Sequence, residues 1–158
     1  MLKPDQEKLA RRYERIVEQL KELFTKNADP QSRMATAVAV LHHKMPHFSW
    51  TGFYRLEDGD LLVGPYQGPL ACSILERGKG CCWHCANTRN AVVVPDVREF
   101  PGHIFCDDRT LSEVVVPVFD GNGDLTAVLD VDSLELDSFT EVDAAGLTAV
   151  CQLIYNRP

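Results

Sequence analysis

The sequence lacks the features of several large protein classes. Its 158 residues hold 16 Lys and Arg against 23 Asp and Glu, and a net charge of −7 is unlike that of nucleic-acid binders or proteins on anionic membranes. It has no apolar run of about 18 residues, as a membrane-spanning helix requires. Its N-terminus, Met1–Lys8, is too charged for a secretory signal. With no internal repeat or long linker, we expect one cytoplasmic domain over residues 1–158.

Helical periodicity predicts a pair of helices over residues 1–46. Proline at 30 after Asp29 marks the start of the second helix, and Pro46 ends it. The predicted inward residues are Tyr13, Ile16, Val17, Leu20 and Leu23, followed by Met34, Ala37, Val38, Leu41 and Met45.

Residues 47–158 alternate as strands joined by hairpins. The turn signals are Asp58-Gly59 and residues 120–123. A short helix is expected from Gly80 to Thr88, and a last helix begins at Thr140 with Asp143 in a capping box. This order predicts an α+β fold, a mainly antiparallel sheet with helices packed mostly on one face.

Three carboxylates fall on the two late strands. If their hairpin loop has an even number of residues, Glu113 lies opposite Asp130 or Asp132, and all three share one sheet face. Like charges there destabilise the sheet unless they bind a cation or share protons. The cluster is therefore either a solvated or Lys/Arg-paired surface, or a pocket for an ammonium group or metal with one carboxyl as proton donor.

Two further features suit a ligand site. Alternation places Phe48, Trp50, Gly52, Tyr54 and Leu56 on one strand face. Trp50 and Tyr54, on either side of Gly52 along this face, are either core aromatics or a wall for an apolar or cationic ligand. In the second case Gly52 leaves room for the ligand.

The second feature is Gly80, which closes the segment Gly78-Lys79-Gly80 and opens the short helix. The free N–H groups of that helix start suit a ligand carboxylate.

Four of the six cysteines lie within residues 72–85. In a reducing compartment such clustering favours metal binding or redox chemistry over structural disulfides. Cys82 and Cys85 form a CxxC motif, which is either a dithiol or half of a zinc site. No second CxxC exists, so zinc would have to recruit ligands from Cys72, Cys106, His84 or His103.

The other two cysteines differ in setting. Cys106 lies in an irregular loop beside His103 and Arg109, either of which could favour its thiolate. Cys151 belongs to the apolar stripe of the last helix, with Val142, Val150, Leu153 and Ile154, and is expected to be an inert core residue.

Taken together, these residues resemble the free methionine-(R)-sulfoxide reductases, a family built on a GAF domain. The resemblance covers almost the whole chain. Its motifs are residues 50–54, 64–68, Ala71-Cys72, 78–80, 101–107, Ser112-Glu113, 129–133, and Phe139-Thr140 with Asp143.

The resemblance implies a site and a mechanism. Cys106 matches the nucleophile, which attacks the sulfoxide sulfur while Glu113 or one of the two aspartates protonates the oxygen. Cys72 or Cys82 then forms a disulfide with the resulting sulfenic acid, and a thioredoxin-type reductant resets it.

The resemblance also implies how the substrate is held. Asp130 and Asp132 hold the ammonium group of free methionine sulfoxide, and Trp50 and Tyr54 wall its methyl-sulfur end. No cofactor and no resident metal are expected, and a homodimer is plausible.

The family usually has Val-Cys-Gly-Thr-Ala after the glycine at position 80, whereas this chain has Cys81, Cys82, Trp83, His84 and Cys85. Bulky side chains there would narrow the pocket, and extra thiols would alter the disulfide relay or complete a metal site. The alternative function is therefore a non-catalytic GAF module that binds a small ligand or senses oxidants through its cysteines.

Overall fold

The computed structural model describes residues 1–104 and 106–156; Phe105, part of one motif named above, and residues 157–158 lie outside them. In chain order the elements are α1 (Pro4–Phe24), α2 (Pro30–Lys44), β1 (Trp50–Glu57), β2 (Asp60–Gln67), β3 (Ile74–Leu75), α3 (Gly80–Thr88), β4 (Val92–Val94), a 3-10 turn (Val97–Glu99), β5 (Ser112–Phe119), β6 (Leu125–Ser133) and α4 (Glu141–Cys151). The strands form one antiparallel sheet in the order β3-β2-β1-β6-β5-β4. The predicted α+β class is confirmed, and β3 is an added strand.

The two N-terminal helices form for the reasons that the sequence indicates. Asp29 caps α2 by accepting a hydrogen bond of 2.8 Å from the backbone N–H of Ser32. The five residues predicted to face inward, four in α2 and Met45 at its C-cap, are all buried. In α1, however, Leu23 is 42% exposed and Phe24 is buried. The inward stripe therefore continues from Leu20 at a spacing of four rather than three.

The sheet has a core on each face. The helices α1, α2 and α4 pack on one face, and α3 with the long loops covers the other. Phe48 was predicted to share a face with Trp50 and Tyr54, but it packs on the helical side, 5.8 Å from the ring of Phe139. The prediction was wrong because β1 begins only at Trp50, so strand alternation does not extend to Phe48.

A buried carboxylate joins the first and last helices. Asp143 forms the predicted capping box of α4 by accepting from the backbone N–H of Thr140 at 2.9 Å, and its other oxygen accepts from the hydroxyl of Tyr13 at 2.8 Å. Cys151, at the end of α4, is 3% exposed among apolar side chains, as predicted.

Within the described residues, no helix is both long and apolar enough to cross a membrane.

Candidate functional site

A cavity lies on the α3 face of the sheet, between the start of α3 and the loop that follows the 3-10 turn. Its wall brings together most of the residues singled out in the sequence, namely Trp50, Tyr54, Gly80, Cys81, Cys82, His103, Cys106, Glu113, Asp130 and Asp132. Cys72 is attached to it through a disulfide bond to Cys106. The site is thus assembled from segments far apart in the chain.

The register of the central strands creates the acidic part of the cavity. Glu113 on β5 pairs with Asp132 on β6, and Asp130 lies two residues earlier on the same face. The predicted sharing of one sheet face by the three carboxylates is therefore confirmed. Gly52 of β1 lies opposite Asp130, which keeps the neighbouring strand thin beside that carboxylate.

Burial and mutual repulsion change the acidity of this cluster. Loss of solvent, followed by the charge of Asp132, raises the pKa of Glu113 to about 7. Burial, then the charge of a neighbouring carboxylate, raises the pKa of both Asp130 and Asp132 well above the usual value. The cluster therefore favours protonated carboxyl groups near neutral pH, in the same cavity that Cys106 lines.

The aromatic residues form a stack along one wall. The ring of Trp50 lies between those of Tyr54 and Tyr66, with centroid distances of 5.8 Å and 5.3 Å. A Cβ atom at position 52 would collide with the Trp50 ring and with Tyr66, so the room above Gly52 is taken by the aromatic stack and not by open space. The glycine thus sets the position of Trp50 rather than leaving room for a ligand directly.

Cys72 and Cys106 form a disulfide, with their Cα atoms 5.4 Å apart and a separation of 34 positions in the chain. The hydroxyl of Tyr54 donates a hydrogen bond of 3.1 Å to the carbonyl of Cys72 and holds that loop against the wall. The disulfide ties Cys106, which lines the cavity, to the segment of Cys72. These two cysteines are therefore within reaction distance of each other.

The cysteines of α3, unlike Cys72 and Cys106, are not in a disulfide bond. Cys81, Cys82 and Cys85 are all free and buried. Burial raises the pKa of each, to about 12 for Cys85, and for Cys82 the charge of Asp130 adds to the effect. The CxxC motif is thus a reduced, protonated pair in this structure, and Cys82 is not bonded to Cys106.

The unusual residues of α3 do not narrow the cavity. Trp83 is buried and its ring N–H donates to the carbonyl of Leu75 at 3.3 Å, which ties α3 to β3. His84 is exposed, and its ring lies edge-on to that of Phe100, with 5.5 Å between the ring centroids. Neither side chain belongs to the cavity wall.

The groups expected to activate Cys106 have other contacts. Arg109 forms an ion pair of 3.0 Å with Asp107, its guanidinium exposed. His103 lies with Nδ1 3.8 Å from Oε2 of Glu113, and burial lowers its pKa. The histidine thus belongs to the acidic cluster, a position that the sequence did not predict.

Tyr66 was also missed by the sequence reasoning. The two-residue turn at Asp58-Gly59 pairs Tyr54 with Val63, but an irregularity between Gly52 and Tyr54 shifts the register so that Gly52 pairs with Tyr66. A bulge of this kind leaves no clear signal in the alternation of β1. The one available signal was that Tyr66 is an aromatic residue on the strand predicted to pair with β1.

The comparisons with known proteins agree with this geometry. A model of the GAF domain family matches residues 29–157. The free methionine-R-sulfoxide reductase of Saccharomyces cerevisiae is 41% identical over 109 residues, which are 67% of this chain and 61% of that protein. The enzyme of the same name from Escherichia coli is 38% identical over 114 residues, 72% of this chain and 68% of that protein.

A solved structure extends the likeness to the backbone. The X-ray structure of free methionine-R-sulfoxide reductase from Neisseria meningitidis in complex with its substrate superposes with a TM-score of 0.85 at 34% identity, covering 90% of this chain and 85% of that one. The chain therefore belongs to the GAF domain family and, within it, to the free methionine-R-sulfoxide reductases.

Proposed function

We propose that this protein reduces free L-methionine-(R)-sulfoxide to methionine with Cys106 as the nucleophile. The observation that carries the proposal is the position of Cys106, which lines a cavity with three clustered carboxyl groups and is bonded to Cys72. Relatives named for this activity support it.

The chemistry follows from the groups at the cavity. The Cys106 thiolate attacks the sulfoxide sulfur while Glu113, or a neighbouring aspartic acid, gives a proton to the oxygen. The oxygen ends on Cys106 as a sulfenic acid, and methionine leaves with its sulfur reduced by two electrons. The pKa of Glu113, raised to about 7 by burial, suits this donor role near neutral pH.

The disulfide completes the cycle. The thiol of Cys72 attacks the sulfenic sulfur, water leaves, and the Cys72–Cys106 bond forms. A thioredoxin-type dithiol then reduces this bond by exchange. Cys82 remains a candidate for an alternative partner, since it lines the same cavity as a free thiol.

The cavity accounts for a preference for the free amino acid. Asp130 and Asp132 would bind the ammonium group, which a methionine residue within a protein lacks. The N–H groups at Gly80, which opens α3, would face the substrate carboxylate, and Trp50 with Tyr54 would contact the methyl-sulfur end.

The disulfide-bonded form leaves little space at the site. Its cavity has a volume of about 50 Å³, which holds a few water molecules, whereas small-molecule pockets span roughly 300–1,000 Å³. We infer that reduction of the Cys72–Cys106 bond opens the loop of Cys106 and admits the sulfoxide. A homodimer and a cytoplasmic location stay predictions from the sequence.

An assay coupled to thioredoxin, thioredoxin reductase and NADPH tests the proposal with the R and S isomers of free methionine sulfoxide. We expect turnover of the R isomer by the wild-type protein and by Cys85→Ala, whose thiol lies outside the cavity wall, and none by Cys106→Ser. Full turnover by Cys106→Ser would overturn the assignment of the nucleophile. An oxidant-induced Cys72–Cys106 bond without methionine release would instead indicate a redox sensor.

A further inference from the structure

A second set of donor atoms meets at the cavity, drawn from three separate segments. The sulfur of Cys81 in the first turn of α3, a ring nitrogen of His103 and a carboxylate oxygen of Glu113 on β5 all lie within 4.8 Å of one another. Cys81 and Glu113 are buried, and His103 is half-buried. The mechanism proposed above gives no role to Cys81.

We propose that Cys81, His103 and Glu113 form a binding site for a zinc ion. Thiolate, imidazole and carboxylate are the three ligand types that proteins use for zinc. Tetrahedral coordination at bond lengths of roughly 2.0–2.3 Å requires ligand atoms roughly 3.3–3.8 Å apart. His103 Nδ1 and Glu113 Oε2 are already 3.8 Å apart, so closing the site around an ion takes small side-chain rotations.

A buried oxygen beside these ligands is an independent observation that points to a cation site. Oδ1 of Asp130 has no hydrogen-bond partner among the described residues, and Asp130 is only 6% exposed. Its carboxylate, Cys82 and Glu113 form a second close group within 4.8 Å, so Asp130 lies next to the same ion position. An unpaired buried carboxyl oxygen costs free energy that a divalent cation would offset.

The zinc set differs from the one that the sequence suggested. Cys72 and Cys106 are joined to each other, and His84 is exposed against Phe100, so only His103 remains of the four ligands considered. The site therefore exists while the redox disulfide is intact. Zinc binding and disulfide chemistry use different sulfur atoms.

If the proposed function is correct, the position of the zinc site also predicts how zinc affects the reaction. Glu113 and Asp130 would serve both zinc and the substrate: the first as ligand or proton donor, the second as partner of the ammonium group. Zinc and methionine sulfoxide would therefore exclude each other, and zinc would act as a competitive inhibitor of the reduced protein.

Titration of the metal-free, disulfide-bonded protein with Zn²⁺, followed by equilibrium dialysis, tests the site. We expect one zinc per chain in the wild-type protein and in Cys85→Ala, a buried thiol of the same helix outside the donor set. Cys81→Ala, Cys81→Ser and His103→Gln should each bind zinc at least roughly 100-fold more weakly, beyond the 10–100-fold that loss of an outer partner costs. Circular dichroism and thermal melts exclude variants that do not fold.

Substitution with Co²⁺ gives a second readout that needs no activity. A sulfur-to-cobalt charge-transfer band in the wild-type protein and its loss in Cys81→Ser would support the thiolate ligand. Wild-type protein that binds no zinc, or zinc binding unchanged in Cys81→Ala, would overturn the proposal even in an active reductase. Stoichiometric zinc that methionine sulfoxide does not displace from the reduced Cys106→Ser protein would keep the metal site and overturn the shared substrate position.

Discussion

Glu113 and Asp132 lie directly opposite each other on β5 and β6, so two carboxyl groups share one side of the sheet at closest cross-strand range. With Asp130 beside them they would repel one another if all three were ionised. Burial and this repulsion instead raise the pKa of all three carboxyl groups. The cluster therefore costs stability in its ionised form, and under the proposed mechanism its protonated form would supply the proton for the sulfoxide oxygen.

The acidic cluster predicts that the protein becomes less stable as the pH rises from about 4.5 to about 7. The pKa of Glu113 is raised from 4.5 to about 7 by burial, so across this range the folded protein binds more protons than the unfolded chain. Its stabilising contribution is full below the unfolded pKa and is lost as the pH passes the folded one. Glu113→Gln should flatten the slope of unfolding free energy against pH by up to about 1.4 kcal/mol per pH unit.

Urea unfolding at several pH values measures this slope. Glu22→Gln, which removes an exposed carboxylate of α1, is the matched control and should keep the wild-type slope. An unchanged slope in Glu113→Gln would show that folding does not raise the pKa of Glu113.

The sequence predicted the elements and the members of the site better than it predicted their contacts. Residues 120–124 close an odd-numbered hairpin loop, and an irregularity between Val118 and Phe119 shifts the register by one residue. Glu113 therefore meets Asp132 as expected, although by a bulge and not by an even loop. Local turn signals limit the register of a hairpin, but bulges depend on the packing of the finished sheet.

Tertiary contacts were less predictable because they depend on how loops close. The pairing of Cys72 with Cys106 joins positions 34 residues apart, and no local pattern in either loop specifies it. His103 was expected to act on Cys106, yet its Nδ1 lies 3.8 Å from Oε2 of Glu113 on β5. Residue identities thus indicated the chemistry, while loop geometry decided which groups meet.

Loss of the resolving thiol should stop the catalytic cycle after one event. In Cys72→Ser the sulfenic acid on Cys106 still forms, so we expect about one methionine per protein in a burst, with no further turnover on a thioredoxin-type reductant. Cys106→Ser should release none, and Cys85→Ala should behave as wild type. Quantifying methionine after rapid quenching measures the burst. Sustained turnover by Cys72→Ser would transfer the resolving role to Cys82.

Replacing one buried carboxyl group should weaken recognition of the free amino acid. Asp130→Asn keeps the shape but removes the carboxyl group that would give up its proton and face the substrate's ammonium group as a carboxylate, a loss of about 1.5–3 kcal/mol, or roughly 10- to 150-fold in kcat/KM. N-acetylmethionine sulfoxide lacks the ammonium group, so its slow reaction should change little.

Asp124→Asn, an exposed residue in the loop between β5 and β6, controls for the change in net charge. Steady-state kinetics with both substrates provides the comparison. An equal loss for both substrates in Asp130→Asn would point to damage of the catalytic step and not to recognition of the ammonium group.

The packing of the first and last helices should be sensitive to one added methyl group. A Cβ atom at Gly146 of α4 would run into the ring of Tyr13, whose hydroxyl is held by Asp143, so the ring cannot simply swing away. Overpacking of this kind costs about 1–3 kcal/mol, and the better helix propensity of alanine offsets up to about 1 kcal/mol of it. We expect Gly146→Ala to lose about 1–2 kcal/mol in urea unfolding, whereas Gly121→Ala, in open space at the hairpin, should stay within about 0.5 kcal/mol of wild type. This contact lies on the opposite face of the sheet from the cavity, so sulfoxide reduction at low temperature should be unchanged. If the Gly146→Ala protein is as stable as wild type, α1 and α4 pack less closely than in the structure.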